Sequence, residues 1–274
     1  MERKKDINPS VRDDYTFGYQ RSVLDYLTYR AKKSLDFVLP HLKPGMEVLE
    51  CGCGPGIITF EIAKKVVNGI VTGIDIDKGL IDSNNKRVNE ANVKNLKFQV
   101  ADIHELPFAD NSFDVVYMQA LIVHIRNPIG AIREVHRVLK DKGLILLKEP
   151  VIDRLIISPE NPLLQEFNEL IQRAMSSYGG DPSIGRKLWP LLSSAGFRDI
   201  QISYKWEQPE SLDEWPDFYE GWANIFRGRI GDIILEEGWA DQKHITDIIN
   251  AVMNLGKSRM GYAGQPWGEG VARK

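Results

Sequence analysis

Residues Val48 to Ile57 read Val-Leu-Glu-Cys-Gly-Cys-Gly-Pro-Gly-Ile. An apolar run ends in the carboxylate of Glu50, and Gly52, Gly54 and Gly56 follow at alternate positions. Glycines in that pattern let a backbone turn tightly and approach a ligand with no side chain between. A helix-like pattern begins at Gly56, so the free N–H groups of a helix start lie beside the turn. Strand, turn and helix in this order suit a nucleotide-like ligand. Two further carboxylates end later apolar runs. Asp75, 23 residues beyond Gly52, could accept both hydroxyls of a ribose; otherwise it is a polar residue leaving a strand. Asp102 could accept from the exocyclic amine of adenine with Ile103 against the ring; otherwise it is a turn residue.

The ligand has a sign. A dinucleotide loop requires Gly-x-Gly-x-x-Gly, and Ile57 stands where the last glycine belongs. Glu50 would oppose a pyrophosphate but suits an ammonium or a sulfonium. No Gly-Lys-Ser/Thr triplet is present, which excludes a P-loop. The two cysteines, Cys51 and Cys53, are too close to bridge each other. With five scattered histidines and no third thiol they make no metal set, and they read as small, partly buried thiols in a reducing compartment.

The elements that must hold these residues alternate. Leu24, Leu27, Ala31, Leu35 and Val38 mark a helix within Tyr15–Pro40. Strands are expected at Met46–Glu50, Ile70–Asp75, Leu96–Val100, Phe113–Gln119 and Leu144–Glu149. Helices are expected at Gly56–Val67, Lys78–Ala91 and Pro128–Leu139, with Lys140–Gly143 closing the last. Nearly continuous apolar strands between helices point to a parallel sheet covered on both faces. Beyond Pro150 the rhythm changes. Leu163–Tyr178 and Ile184–Ala195 read as helices, Asp199–Trp206 as a strand, and Ser211–Lys257 as a tryptophan-rich helical region opened by a Ser211/Glu214 capping box. Trp267–Arg273 reads as a short strand returning to the sheet edge.

In order, these motifs resemble the class I S-adenosylmethionine-dependent methyltransferases, most closely the ubiquinone/menaquinone-biosynthesis-type small-molecule group. Val48–Gly56, Val71–Asp77, Asp102–Phe108 with Ser112–Val116, and Glu134–Gly143 carry the likeness, which spans roughly residues 40–150. Cys51 and Asp141 depart from the commoner family residues. The resemblance implies an α/β Rossmann-like three-layer sandwich whose sheet has seven strands, mostly parallel with the last antiparallel, plus helical cap insertions. It implies S-adenosyl-L-methionine as cofactor. The loop of Glu50, Gly52, Cys53, Gly54 and Gly56 would pass the methionine part, and Asp75 the ribose. Ile76, Asp102 and Ile103 would meet the adenine, and Gln119 and Ala120 the methyl side. Tyr19 would either anchor the N-terminal arm or close over the cofactor.

A base is needed only if the nucleophile must lose a proton. His124 is the first candidate and Glu149 the second; the alternatives are a loop residue and a sheet-end hydrogen-bond acceptor. Trp215, Tyr219, Trp222 and Phe226 share one helix face, which packs a cap onto the core, lines an apolar or aromatic acceptor pocket, or makes a dimer contact. The expected organisation is an N-terminal arm and lid helix (1–40), a cofactor-binding core (41–206) with an insertion at about 150–183, a helical cap (207–257) and a terminal strand (258–274).

The chain has 274 residues and a net charge of −3, so nothing global favours nucleic acid. The charged N-terminus is no signal peptide, and no apolar run approaches the ~20 residues that span a bilayer. A cytoplasmic monomer or homodimer acting on a small molecule is expected. The alternatives are a protein or RNA methyltransferase and a non-catalytic cofactor-binding regulatory protein.

Overall fold

The computed structural model describes residues 21–209, 211, 215–258 and 261–274. Tyr19 and Glu214, and with Glu214 the expected capping box, lie outside them. Helix α1 (Arg21–Val38) leads into β1 (Glu47–Cys51), α2 (Ile57–Lys65), β2 (Ile70–Asp75), α3 (Lys78–Glu90) and β3 (Leu96–Val100). Then follow β4 (Phe113–Gln119), α4 (Pro128–Val138), β5 (Leu139–Pro150), a short β6 (Ile156–Ser158) and α5 (Pro162–Ser177). The chain ends with α6 (Leu188–Ser194), β7 (Arg198–Glu207), α7 (Trp215–Arg227), α8 (Arg229–Glu236), α9 (Gln242–Lys257) and β8 (Tyr262–Arg273).

The sheet runs β3-β2-β1-β4-β5-β8, and β8 also pairs with β7 and β6. The pairs β1–β2, β2–β3, β1–β4 and β4–β5 are parallel, whereas β8 is antiparallel to β5, β6 and β7. This is the expected mostly parallel sheet with an antiparallel last strand, and β6 is an addition that sequence periodicity did not reveal. Two boundaries are corrected. Strand β8 is not at the sheet edge: β5 and β7 flank it, and it begins five residues before Trp267. Strand β5 starts at Leu139, because Leu139 pairs with Phe113 before the ladder shifts register and resumes at Leu144 opposite Val115. The irregularity between them passes through Lys142 at φ 66.

Period-two alternation divides the strand side chains between two apolar layers. Val48, Val71, Val115, Tyr117 and Leu146 pack with α1, α2 and α3 on one face. Leu49, Cys51, Val116, Met118, Ile145 and Leu147 pack with the remaining helices on the other. Glu50, Gln119 and Lys148 follow the first set, so the α1 face becomes polar at the carboxyl ends of the strands. Among the described residues no helix is long and apolar enough to cross a membrane.

Candidate functional site

A cavity of about 490 Å³ opens over the carboxyl ends of β1 to β4. Glu50, Gly52, Cys53, Gly54, Asp75, Ile76, Asp102, Ile103, Gln119, Ala120 and His124 all reach its wall. The structure therefore gathers residues that the sequence spreads over 75 positions.

The glycine loop is locked from below. Cys53 donates its N–H to the Ile74 carbonyl at 2.9 Å, and Gly56 to Cys53 at 2.9 Å. Asn84 Nδ2 donates to the Gly54 carbonyl at 2.8 Å, and Arg87 Nη1 to that of Pro55 at 2.7 Å. Gly54 sits at φ +48, and a Cβ there would meet only open space, so the backbone is bare to the cavity. Gly56 differs from expectation. It is absent from the cavity wall, and a Cβ there would come within 3.0 Å of Phe98 and Asn84, so its small size serves packing under the loop.

Glu50 is buried, and its Oε2 has no hydrogen-bond partner among the described residues. Burial, with the Asp75 carboxylate nearby, pushes its carboxyl up to about 8. An orphaned buried carboxylate oxygen beside an open glycine loop fits a cationic ligand group. Asp75 is also buried. Its Oδ2 accepts from the Gly54 N–H at 2.9 Å and its Oδ1 from that of Asp77 at 3.0 Å. Burial raises its pKa, and these N–H groups oppose the rise. A carboxylate has about four acceptor sites, so two remain for hydroxyls. Asp102 Oδ1 accepts from the His104 backbone at 2.8 Å and lies 2.8 Å from His104 Nδ1. Ile76 presents an exposed apolar side chain, and Ile103 is a largely buried part of the wall. Burial pushes both thiols up, which removes Cys51 and Cys53 as nucleophiles.

On the far side, Tyr117 donates its hydroxyl to Gln119 Oε1 at 2.5 Å. Ala120 adopts φ 48, a left-handed conformation that costs about 1–2 kcal/mol for a residue with a Cβ. His124 follows on the short 3₁₀ turn Ile122–His124, and desolvation, then the nearby Arg30 cation, lower its pKa to about 3. Glu149, the second candidate base, is displaced from that role by its geometry. It is fully buried and absent from the cavity wall. Its carboxylate accepts the N–H groups of Leu121, Ile122 and Val123 at 3.0, 3.0 and 3.2 Å. It caps the turn that carries His124. Burial raises it to about 7, and those three donors limit the rise.

Several wall residues escaped sequence reasoning. Leu27, Arg30 and Ala31 come from α1, Leu121, Ile125 and Arg126 from the segment after β4, and Tyr178 from the end of α5. Arg30 left a signal, a charge three residues after Leu27 on the otherwise apolar helix stripe. Its Nε lies 3.1 Å from Glu207 Oε1, and its guanidinium sits 4.1 Å over the Trp267 ring. The aromatic helix face resolves toward packing. Tyr219, Trp222 and Phe226 are buried, and Phe167 stacks on Trp222 at 5.9 Å and on Phe226 at 4.7 Å. None of the three reaches the cavity. Of the segments 150–183 and 207–257, Tyr178 alone lines it among the described residues.

The fold and this site define an α/β protein that binds a cationic, nucleoside-bearing cofactor over a glycine loop. The methyltransferase domain family matches residues 42–218, and the chain belongs to it. That family draws its methyl group from S-adenosyl-L-methionine. An uncharacterized methyltransferase of Schizosaccharomyces pombe is 30% identical over 64% of this chain and 65% of its own length. The methyltransferase YcgJ of Bacillus subtilis is 33% identical over 61% of this chain and 63% of its own. Its crystal structure superposes with a TM-score of 0.56 over 89% of this chain and 99% of that one. The [4+2]-cyclase SpnF shares the fold at 19% identity, with a TM-score of 0.56 over 96% of this chain and 85% of that chain. The chain thus spans somewhat under two thirds of the length of the two curated relatives, and the cyclase illustrates that this fold alone does not fix the reaction.

Proposed function

We propose that this protein transfers the methyl group of S-adenosyl-L-methionine to a small organic molecule. The observation that carries the reading is the unpartnered, buried Oε2 of Glu50 at the wall of the cavity. Bound there, the cofactor would supply an electrophilic methyl group on a good leaving group. Glu50 would receive the ammonium of its methionine part, and Asp75 the ribose hydroxyls. Asp102, Ile76 and Ile103 would hold the adenine, and the bare Gly54 backbone would let the chain lie close.

The remaining chemistry is alignment and exclusion of water. Gln119 and Ala120 would frame the reacting side, and Leu27, Leu121 and Ile125 supply an apolar wall for the acceptor. His124, neutral and weakly basic, would position the acceptor rather than take up its proton. Tyr219, Trp222 and Phe226 build the cap's interior and so lend no support to an aromatic acceptor, and the side chain of Trp215 lies outside what the structure describes. The narrower ubiquinone/menaquinone-type kinship rests on motifs that handle the cofactor and so leaves the acceptor undefined. A cytoplasmic setting accords with the two unpaired cysteines.

Calorimetry with S-adenosylhomocysteine tests the cofactor reading, with saturable one-site binding expected. Release of S-adenosylhomocysteine across a small-molecule acceptor panel tests the transfer. Absence of binding would remove the reading entirely. Binding with turnover only on protein or RNA would redirect it.

A further inference from the structure

The cavity wall carries three carboxylates, Glu50, Asp75 and Asp102, at the ends of β1, β2 and β3, and two guanidinium groups, Arg30 of α1 and Arg126 of the segment that follows β4. Arg30 is matched by Glu207 and the Trp267 ring. Arg126 is different. Its one hydrogen bond is from Nε to the Tyr178 carbonyl at 3.1 Å, and among the described residues no carboxylate pairs with it.

Its placement is built into the backbone. Gly179 adopts φ +90, and a Cβ there would lie 2.4 Å from Arg126 Cγ, so the arginine stem runs across a glycine. Asp181 donates its N–H to the Val123 carbonyl at 3.0 Å, which docks this turn onto the turn carrying His124. Arg229 Nη2 bonds the Tyr178 hydroxyl at 2.7 Å and fixes that side chain in the wall. An exposed guanidinium oriented in this way, with no counter-charge among the described residues and with the apolar Leu27, Leu121 and Ile125 in the same wall, matches the fork geometry of an oxyanion.

We infer that Arg126, framed by Tyr178, binds an anionic group, a carboxylate or phosphate, on the methyl acceptor. The inference rests on the methyl-transfer reading above and narrows its acceptor to an organic acid with an apolar body. Arg126 would be a specificity residue that selects and orients the acceptor.

The test uses the full chain saturated with S-adenosylhomocysteine, and reads the binding of benzoate, benzamide and inorganic phosphate at constant ionic strength. Benzoate should bind about tenfold more tightly than benzamide, as charge-assisted hydrogen bonds outweigh neutral ones. Phosphate should compete with benzoate. Arg126→Gln should abolish the benzoate preference and the phosphate competition while changing S-adenosylhomocysteine affinity less than about twofold. Arg126→Lys, which keeps the charge but not the fork, should retain part of the preference. Equal binding of benzoate and benzamide to the wild type, binding of none of the three probes, or an anion preference that survives Arg126→Gln would overturn the inference and leave the cofactor reading intact. Failure to bind S-adenosylhomocysteine would overturn both. Phosphate binding without benzoate binding would assign the subsite to phosphorylated acceptors.

Discussion

At the scale of single residues, Glu50 sets a conflict between stability and binding. Its carboxyl is raised from 4.5 to about 8 by burial. The native state therefore holds a proton there that the unfolded chain releases above about pH 4.5, so this residue's contribution to stability falls as pH rises from 4.5 to 8. Glu50→Gln removes that dependence. In thermal melts of the cofactor-free protein, the advantage of the variant over wild type should grow between pH 5 and pH 8; an unchanged difference would show that Glu50 is not buried as described. The same variant should weaken S-adenosylhomocysteine binding roughly 10–100-fold through loss of a charge-assisted contact. Wild-type binding at pH 7 should release close to one proton, read by calorimetry in buffers of different ionisation enthalpy, and the variant should release none. His124 has the opposite sign. Its pKa falls from 6.5 to about 3, so its contribution to stability is complete above pH 6.5 and is lost as pH falls. A pH–rate profile for methyl transfer should accordingly lack an imidazole inflection between pH 5 and 8.

At the scale of elements, α3 governs the loop without touching the cavity. Buried Asn84 holds the Gly54 carbonyl, and Arg87 holds that of Pro55 while stacking 4.5 Å over Phe60. Asn84→Ala should raise the KM for S-adenosylmethionine about three- to tenfold with kcat nearly unchanged, because it leaves a buried carbonyl unsatisfied and loosens the loop. A fall in kcat alone would refute a purely positioning role. A second clasp works from α4. Glu134 accepts the Leu106 N–H at 3.0 Å, and Arg137 bonds the Leu106 and Phe108 carbonyls at 2.9 and 2.8 Å. It holds the segment that carries Asp102 and Ile103. These contacts mark the limit of what the sequence disclosed. The glycine loop, Asp75 and Asp102 were legible because each ends a short apolar run, and period and punctuation are local signals. Arg126 and Tyr178 were not, because the turn after α5 meets the segment after β4 only in three dimensions. Glu149 misled for a related reason: the alternation of β5 directs it to the face where the His124 turn needs an acceptor.

At the scale of the whole molecule, the cap and the sheet share one interior. Leu49, Met118, Ile145 and Leu147 from the strands form a continuous apolar cluster with Phe167, Phe218, Trp222, Phe226 and Ile248 from the helices beyond β5. An independent lid would need a core of its own, with few apolar contacts crossing to the sheet. The continuous cluster instead argues that cap and sheet unfold together. Tryptophan fluorescence, which reports partly on Trp222 in the cap, and far-ultraviolet dichroism, which reports on the whole backbone, should give coincident denaturant transitions. Phe226 stacks at 4.7 Å on Phe167 and is 1% exposed. Phe226→Ala should therefore cost roughly 3–5 kcal/mol of stability, shift both probes equally, and leave the order of preference among acceptors unchanged below the melting range. Separate transitions for the two probes would make the cap a mobile lid, and a changed acceptor order would return the aromatic face to the binding site. Joint unfolding with an unchanged order would make the aromatic helix part of the shared interior, with Tyr178 held in the cavity wall by Arg229 of α8.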